Sequence, residues 1–525
     1  MSWTRRYSQR RNEYSIALLL ILSVFVIIQA AYLLGEWSKP EGTFFIGHPY
    51  PLDANIMLGK CLYGARHGVI FYQNTVTTEP HPPAPLFNHH LLAGKLASLL
   101  RLEFLTVFHL IRILAGVAFL VYLYGKSRYF FRDGCARLGM LAIVCFSSGF
   151  EAISEANTFR SLALFPQVPL SLLLMVVYYW NFHAFCAGRR LGRPLLACMA
   201  AIFAMGVVHP WNLLSMGAVS AGFLGLIRVR KRGLFKAGRV VGFALMALVG
   251  AAMMGMHLHT KATNPVFGAV AEQNQAPVRG WGEWVSFFGL LWLTAAGGAA
   301  LAVRDRKRRP FIFLVVWAAT TCALMTLPFP FRRRLVEGVH VPVAILTAYL
   351  LFEAAGWAAS RTGWPKRACL IAASLWLLAV TVRPNVAFLR FPYFDGRSSP
   401  VYYPPAEILE PLRWIDENLP EGARIMAGVW TGHLLGRYTL ARPFVVHSVE
   451  TVDFQNKCER MRGFYSGQDP PDAMRSFLAE YGIDYVFSGP FEPSSRGFKP
   501  WDYPWLELCY RDRLALIYRV GKPGS

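Results

Sequence analysis

Residues 14–34 read YSIALLLILSVFVIIQAAYLL, and Arg5, Arg6, Arg10 and Arg11 stand just before them. About 20 consecutive apolar residues are enough to cross a bilayer as a helix. The basic flank places the N-terminus in the cytoplasm. The run looks like a signal sequence, but no small-residue cleavage site follows it and more apolar runs come after, so we read an uncleaved first helix. Further runs of spanning length lie near 104–125, 136–153, 163–185, 194–209, 211–227, 239–258, 284–303, 310–329, 339–357 and 368–384. Together they predict about eleven transmembrane helices.

Composition agrees with this class. The chain has 525 residues, 54% of them hydrophobic and only 16% charged. A soluble domain carries roughly 25% charged residues. This excludes a soluble multidomain enzyme, and the hydrophobicity excludes a disordered chain. The 44 glycines and 33 prolines follow no period, so a collagen-like or low-complexity chain is excluded too. The net charge of +23 would suggest nucleic acid in a soluble protein. In so apolar a chain it marks cytoplasmic loops and anionic headgroups, and no nucleic-acid partner is expected. The nine cysteines form neither a disulfide framework nor a zinc spacing. Cys458 and Cys509 are a candidate pair if the polar region holding them faces an oxidising compartment.

Basic clusters test the topology. Lys126/Arg128/Arg132, Arg189/Arg190/Arg193, Arg228/Arg230/Lys231/Arg232, Arg304/Arg306/Lys307/Arg308/Arg309 and Arg361/Lys366/Arg367 all fall on the side of the N-terminus. An odd span number then puts the C-terminal region outside. One cluster breaks the rule: Arg332, Arg333 and Arg334 follow run 310–329, whose other end is already basic. Three arginines outside suggest a phosphate ligand at the outer headgroup level. The alternative is contact with ordinary anionic headgroups.

Two outer regions are too long to be connectors. The first, 35–103, holds a helical stretch over 54–68, a turn-rich stretch over 74–85 with four prolines, and an amphipathic helix over 87–100. The second, 385–525, has soluble composition. It predicts helices over 405–418 and 472–481 and strands over 423–428, 444–447, 483–488 and 514–520. Alternating helix and strand predict a small α/β domain. We therefore expect a mainly α polytopic membrane domain over 1–384 and an extracytoplasmic α/β domain over 385–525.

Candidate chemistry is sparse. Asp53, in His48-Pro49-Tyr50-Pro51-Leu52-Asp53, is a candidate general base or cation ligand. The plainer reading is an N-cap for a helix starting at Ala54. Glu79 and His81 sit among prolines that would fix them rigidly, or they belong to a structured connector. Glu151, Glu155, Asn157 and Arg160 cluster between two runs, as an outer polar site or a loop with an ion pair. His209, before Pro210-Trp211-Asn212, lies at a depth where polar groups are costly unless they serve a cavity or substrate. His257 and His259 lack metal-site spacing and read as interfacial. Thr431-Gly432-His433, His447-Ser448-Val449-Glu450-Thr451 and Lys457 are polar groups around short elements, with His433 and Glu450 the outer-face candidates among them.

The assembled pattern resembles the GT-C superfamily of polytopic glycosyltransferases, which includes oligosaccharyltransferase catalytic subunits and protein O-mannosyltransferases. The shared features are one span, a long outer loop beginning with an Asp, amphipathic helices in that loop, then many spans. Stretches of the C-terminal third are similar to the outer domain of bacterial glycosyltransferase-like membrane proteins. They are Leu412-Arg413-Trp414-Ile415-Asp416-Glu417-Asn418-Leu419-Pro420, Thr431-Gly432-His433, His447-Ser448-Val449-Glu450-Thr451 and Tyr481-Gly482-Ile483-Asp484-Tyr485-Val486. The resemblance implies a polyprenyl-phosphate-sugar donor and an acceptor glycan, lipid or protein. It implies Asp53 as the catalytic aspartate, Arg332, Arg333 and Arg334 as donor-phosphate ligands, and Glu79 and His81 as acceptor-positioning residues. Members that bind a metal often carry an acidic pair. Here Asp53-Ala54-Asn55 is a partial imitation, so a divalent cation is left open and no other cofactor is assigned. The expected location is the inner (plasma) membrane. A lipid-linked-sugar flippase, or a non-catalytic scaffold of envelope-glycan assembly, is the competing reading.

Overall fold

The computed structural model describes residues 3–151, 153–188, 191–230, 237–278, 280–305, 309–390, 396–492 and 497–521. Of the basic residues used for topology, Arg189, Arg190, Lys231, Arg232, Arg306, Lys307 and Arg308 lie outside them. The chain forms two compact units, neither continuous in sequence. One contains Met1–Leu33, His109–Gly255 and Ala276–Phe391; the other contains Leu34–Phe108, Met256–Gln275 and Pro392–Ser525.

The first unit is helical. Among the described residues of the chain, five helices are long and apolar enough to cross a membrane: Arg11–Trp37, Phe104–Tyr129, Gln167–Ala187, Ala237–Thr263 and His340–Thr362. This is a multi-pass membrane protein. Two further pairs pass the test only jointly, which raises the count to seven and not to the expected eleven. Run 284–303 breaks at Gly289, whose φ of 50° is available to glycine, and its halves meet at 79°. Run 368–384 bends by 43° just before Arg383-Pro384, where the proline ring interrupts the ladder. Three other runs give the shorter helices Gly134–Phe146, Gly192–Val208 and Pro310–Thr326. They stop at Ser147-Ser148-Gly149, at His209-Pro210 and at Leu327-Pro328, where the residue before a proline disfavours helix.

The second unit carries a five-stranded sheet: β1 (Arg424–Met426), β2 (Arg442–Pro443), β3 (Tyr485–Ser488), β4 (Leu506–Arg511) and β5 (Leu516–Val520), in the order β2-β1-β3-β5-β4. β1 pairs in parallel with β2 and β3, and β5 pairs antiparallel with β3 and β4. Parallel neighbours need crossovers. Helix Val429–Tyr438 joins β1 to β2, and helices Phe454–Ser466 and Pro471–Glu480 lead from β2 to β3. One apolar cluster unites Met426, Phe444, Met461, Phe464, Leu478 and Val486, and a second unites Ile425, Leu412, Leu434, Phe487 and Ile517. The Tyr465 hydroxyl donates to the carbonyls of Met426 and Phe487, at 3.0 and 2.6 Å, tying the helix to the sheet.

The helices expected over 54–68 and 87–100 are present as Pro51–His67 and Asn88–Leu100. Gly64 and Gly94 let these two helices touch backbone to backbone: a Cβ on either would overlap Leu91 or Cys61. On its other side helix Pro51–His67 meets helix Val429–Tyr438, where a Cβ on Gly59 would overlap the Gly436 carbonyl. The suggested Cys458–Cys509 pairing is not made. Both thiols are free, Cys458 buried in a helix and Cys509 exposed on β4.

Candidate functional site

The helix bearing Asp53 begins three residues earlier than the N-cap reading requires. Pro51 occupies the first turn and Tyr50 the cap position, without a side-chain cap bond. Asp53 is therefore an acid in the first turn and not the cap. The positive end of the helix dipole favours its charged form there.

Asp53 is half-exposed, with 45% of its side chain accessible, and its Oδ1 lies 3.3 Å from His447 Nε2. His447 follows β2, at the carboxyl end of a parallel strand, where α/β sheets commonly place their sites. Burial alone would raise the Asp53 pKa. The side-chain hydrogen bond with His447, in a setting of imidazoles, outweighs that and holds the carboxyl below its ordinary value. His433, on helix Val429–Tyr438, is 1% exposed, and its ring meets that of His447 edge-on at 5.7 Å. Burial drives its pKa down to about 3, so it stays neutral at physiological pH. His48 is fully buried, and its Nδ1 accepts the Tyr50 amide at 3.0 Å. Asp53 and His433 are thus brought together, joined by two residues, His447 and His48, that pattern reading did not single out as site members. His48 belongs to the same short motif as Asp53, which is the one local signal that was there.

Glu79, His81 and Glu450 have other partners. Glu79 Oε1 pairs with Lys457 Nζ at 2.6 Å, and its second oxygen takes the Thr77 hydroxyl. Lys457 is 1% exposed and also donates to Thr78 at 3.1 Å. His81 Nε2 accepts the Asn74 amide at 2.9 Å, and Nδ1 faces the Glu79 carbonyl at 2.9 Å. Burial lowers its pKa. Glu450 pairs with the buried Lys60 at 2.6 Å, and that ammonium lies 3.5 Å from the Phe87 ring centroid. These groups fasten loops to one another and to the helices Pro51–His67 and Phe454–Ser466.

The remaining candidates lie in the membrane unit. Arg332 donates to the Val278 carbonyl at 2.6 Å. Arg333 pairs loosely with Glu155 at 3.5 Å, is 39% exposed, and has no described partner for its Nε. Arg334 lies over the Trp211 ring at 5.9 Å. Arg160 donates to the Pro384 carbonyl at 3.0 Å and stacks on Phe388. His209 Nδ1 meets Glu337 at 2.8 Å, and Glu337 also takes the Ser171 hydroxyl. One group here escaped the sequence reading. Arg112, 0% exposed within span Phe104–Tyr129, donates to the Leu162 carbonyl at 2.7 Å and to Gln29.

No family model matches the sequence, and no curated protein matches it. Solved structures do. The apo oligosaccharyltransferase of Archaeoglobus fulgidus aligns with 89% of this chain and 69% of its own, at 14% identity and TM-score 0.52. The same organism's oligosaccharyltransferase AglB, in complex with an inhibitory peptide and a dolichol-phosphate, aligns with 93% of this chain and 70% of its own, at 14% identity and TM-score 0.51. The arabinofuranosyltransferase AftD from Mycobacteria aligns with 96% of this chain and 42% of its own, at 15% identity and TM-score 0.55. The chain has the GT-C fold of polytopic membrane glycosyltransferases.

Proposed function

We propose that this protein is an integral-membrane glycosyltransferase that moves a sugar from a polyprenyl-phosphate donor to an extracytoplasmic acceptor. The observation that carries the reading is Asp53: a carboxylate kept ionised by neighbouring imidazoles, half-open to solvent, in the first turn of a helix. Such a group can take the proton of an acceptor hydroxyl. The hydroxyl oxygen then bonds to the anomeric carbon, the carbon–oxygen bond to phosphate breaks, and the phosphate leaves with that electron pair. Charge grows on the leaving phosphate, so donors aimed at it stabilise the transition state. Arg332, Arg333 and Arg334 are the proposed donors; the unpartnered Nε of Arg333 among the described residues supports this role. The complex of AglB with a dolichol-phosphate supports the donor class. Among the described residues no three His, Cys, Asp or Glu side chains converge as metal ligands. We place the N-terminus in the cytoplasm of a plasma-membrane protein, with 35–103 and 385–525 outside.

The test is turnover of a panel of polyprenyl-phosphate-linked hexoses and pentoses by the full chain in nanodiscs. Release of free polyprenyl phosphate, absent in Asp53→Asn, supports transfer. Binding that depends on Arg333, with no release for any acceptor, points instead to a flippase or scaffold.

A further inference from the structure

Asp53 and His447 present a choice of roles, since either a carboxylate or an imidazole can act as a base. The hydrogen bonds around His447 decide it. The Val449 amide donates to His447 Nδ1 at 3.3 Å. An amide cannot accept, so Nδ1 carries no proton in the neutral ring, and the ring proton sits on Nε2. Nε2 faces Asp53 Oδ1 at 3.3 Å. Both ring nitrogens are occupied, and none remains to take a proton from a substrate.

The loop that carries His447 is held from several segments. Thr451 Oγ1 accepts the amides of Val446 and His447, both at 3.1 Å, and donates to the Val76 carbonyl at 2.8 Å. The Asn74 amide side chain donates to the Glu450 carbonyl at 2.9 Å, while the Glu450 carboxylate is fixed by Lys60. Gln273 donates to the carbonyls of Val449 and Thr451, at 3.0 and 2.8 Å. A solvated loop would not need this many fasteners. A loop that must hold one ring nitrogen against one carboxylate does.

We infer that His447 is the positioning residue of Asp53: it donates from Nε2 to Oδ1, fixes the carboxylate's orientation, and leaves Oδ2 to receive the acceptor's proton. This rests on the reading of Asp53 as the base. The other titratable groups acting on Asp53 are His48 and His433. Removing the His447 hydrogen bond makes the carboxylate easier to protonate, so Asp53 stays in its acid form to higher pH.

Carbodiimides label protonated carboxyls, so labelling of Asp53 against pH, read by peptide mass spectrometry, follows its titration without any substrate. The full-length wild type, His447→Ala and His447→Gln are compared in nanodiscs, with Asp53→Asn as the unlabelled control. His447→Ala is expected to move the labelling midpoint upward by about one pH unit. His447→Gln, whose amide can still donate, is expected to recover most of that shift. Monodisperse elution and thermal melting establish that each variant is folded. An unmoved midpoint in folded His447→Ala, or no recovery in folded His447→Gln, overturns the inference. The turnover panel separates the two claims: release that survives Asp53→Asn removes the catalytic reading, whereas release lost in Asp53→Asn but unchanged in His447→Ala removes only the positioning role.

Discussion

Two kinds of carboxylate centre lie in the same unit. Glu79 and Glu450 each meet a lysine that is no more than 2% exposed. Asp53 meets a histidine and remains 45% exposed. Each of these two acids is paired with a buried ammonium on a helix, so both fasten a loop to a helix. An imidazole bonds the carboxylate without committing its second oxygen. Among these three acids, partner and exposure set Asp53 apart from the two that fasten the fold.

The strongest way to break this contrast is Asp53→Asn. We expect phosphate-lipid release to fall about a thousandfold with the melting temperature unchanged; a large loss of stability would place Asp53 among the fasteners. Lys457→Met should do the opposite. Leaving Glu79 without its buried partner should cost about 3 kcal/mol, read by denaturant unfolding, and Glu79→Leu added to it should restore part of the loss. Gly59→Val sharpens the contrast geometrically. Its side chain would overlap the Gly436 carbonyl and push apart the helices bearing Asp53 and His433. A loss of about 2 kcal/mol is expected. Arg333→Ala removes a charge-assisted donor, and binding of polyprenyl phosphate should weaken about tenfold, measured by native mass spectrometry.

The smallest effect concerns pH. His433, His81 and His90 have pKa values below the ordinary 6.5 because they are buried neutral. Below 6.5 the unfolded chain therefore binds more protons than the folded one, and stability declines as pH falls from 6.5 toward 3. Asp53 acts in the same direction at lower pH: its lowered pKa contributes stability above the ordinary carboxylate value that disappears as pH falls through the folded value. Melting temperature measured between pH 7.5 and 5 should decline, and a flat profile would mean these rings are not buried neutral.

Periodicity made much of the architecture legible. The helices Pro51–His67, Asn88–Leu100 and Pro471–Glu480 fall within a few residues of their expected bounds, as do β1, β3 and β5. The expected strand 444–447 is met only by the short β2, at Arg442–Pro443, because the chain turns at His447 to close the Thr451 loop. β4 was missed: its register shifts between Leu508 and Tyr510, which spoils the alternation that announces a strand. Among the described residues the count stops short of eleven where runs 136–153, 194–209 and 310–329 give helices of 10–17 residues, because the turns that end them leave little mark on hydropathy. Asp53 could be singled out as a candidate because the resemblance to GT-C enzymes sets an aspartate at the start of the long outer loop; its local motif alone reads equally as a helix cap. Its partner could not, because the decisive bond is from the Val449 backbone to a ring nitrogen, and no side-chain pattern encodes it.

The discontinuity of the second unit has a temporal meaning. Asp53 leaves the ribosome roughly 400 residues before His447. At about 5–20 residues per second, on the order of half a minute separates the synthesis of Asp53 from that of His447. Synthesis must approach the C-terminus before the histidine that meets Asp53 exists. The second unit therefore cannot complete its packing around Asp53 until translation has passed His447.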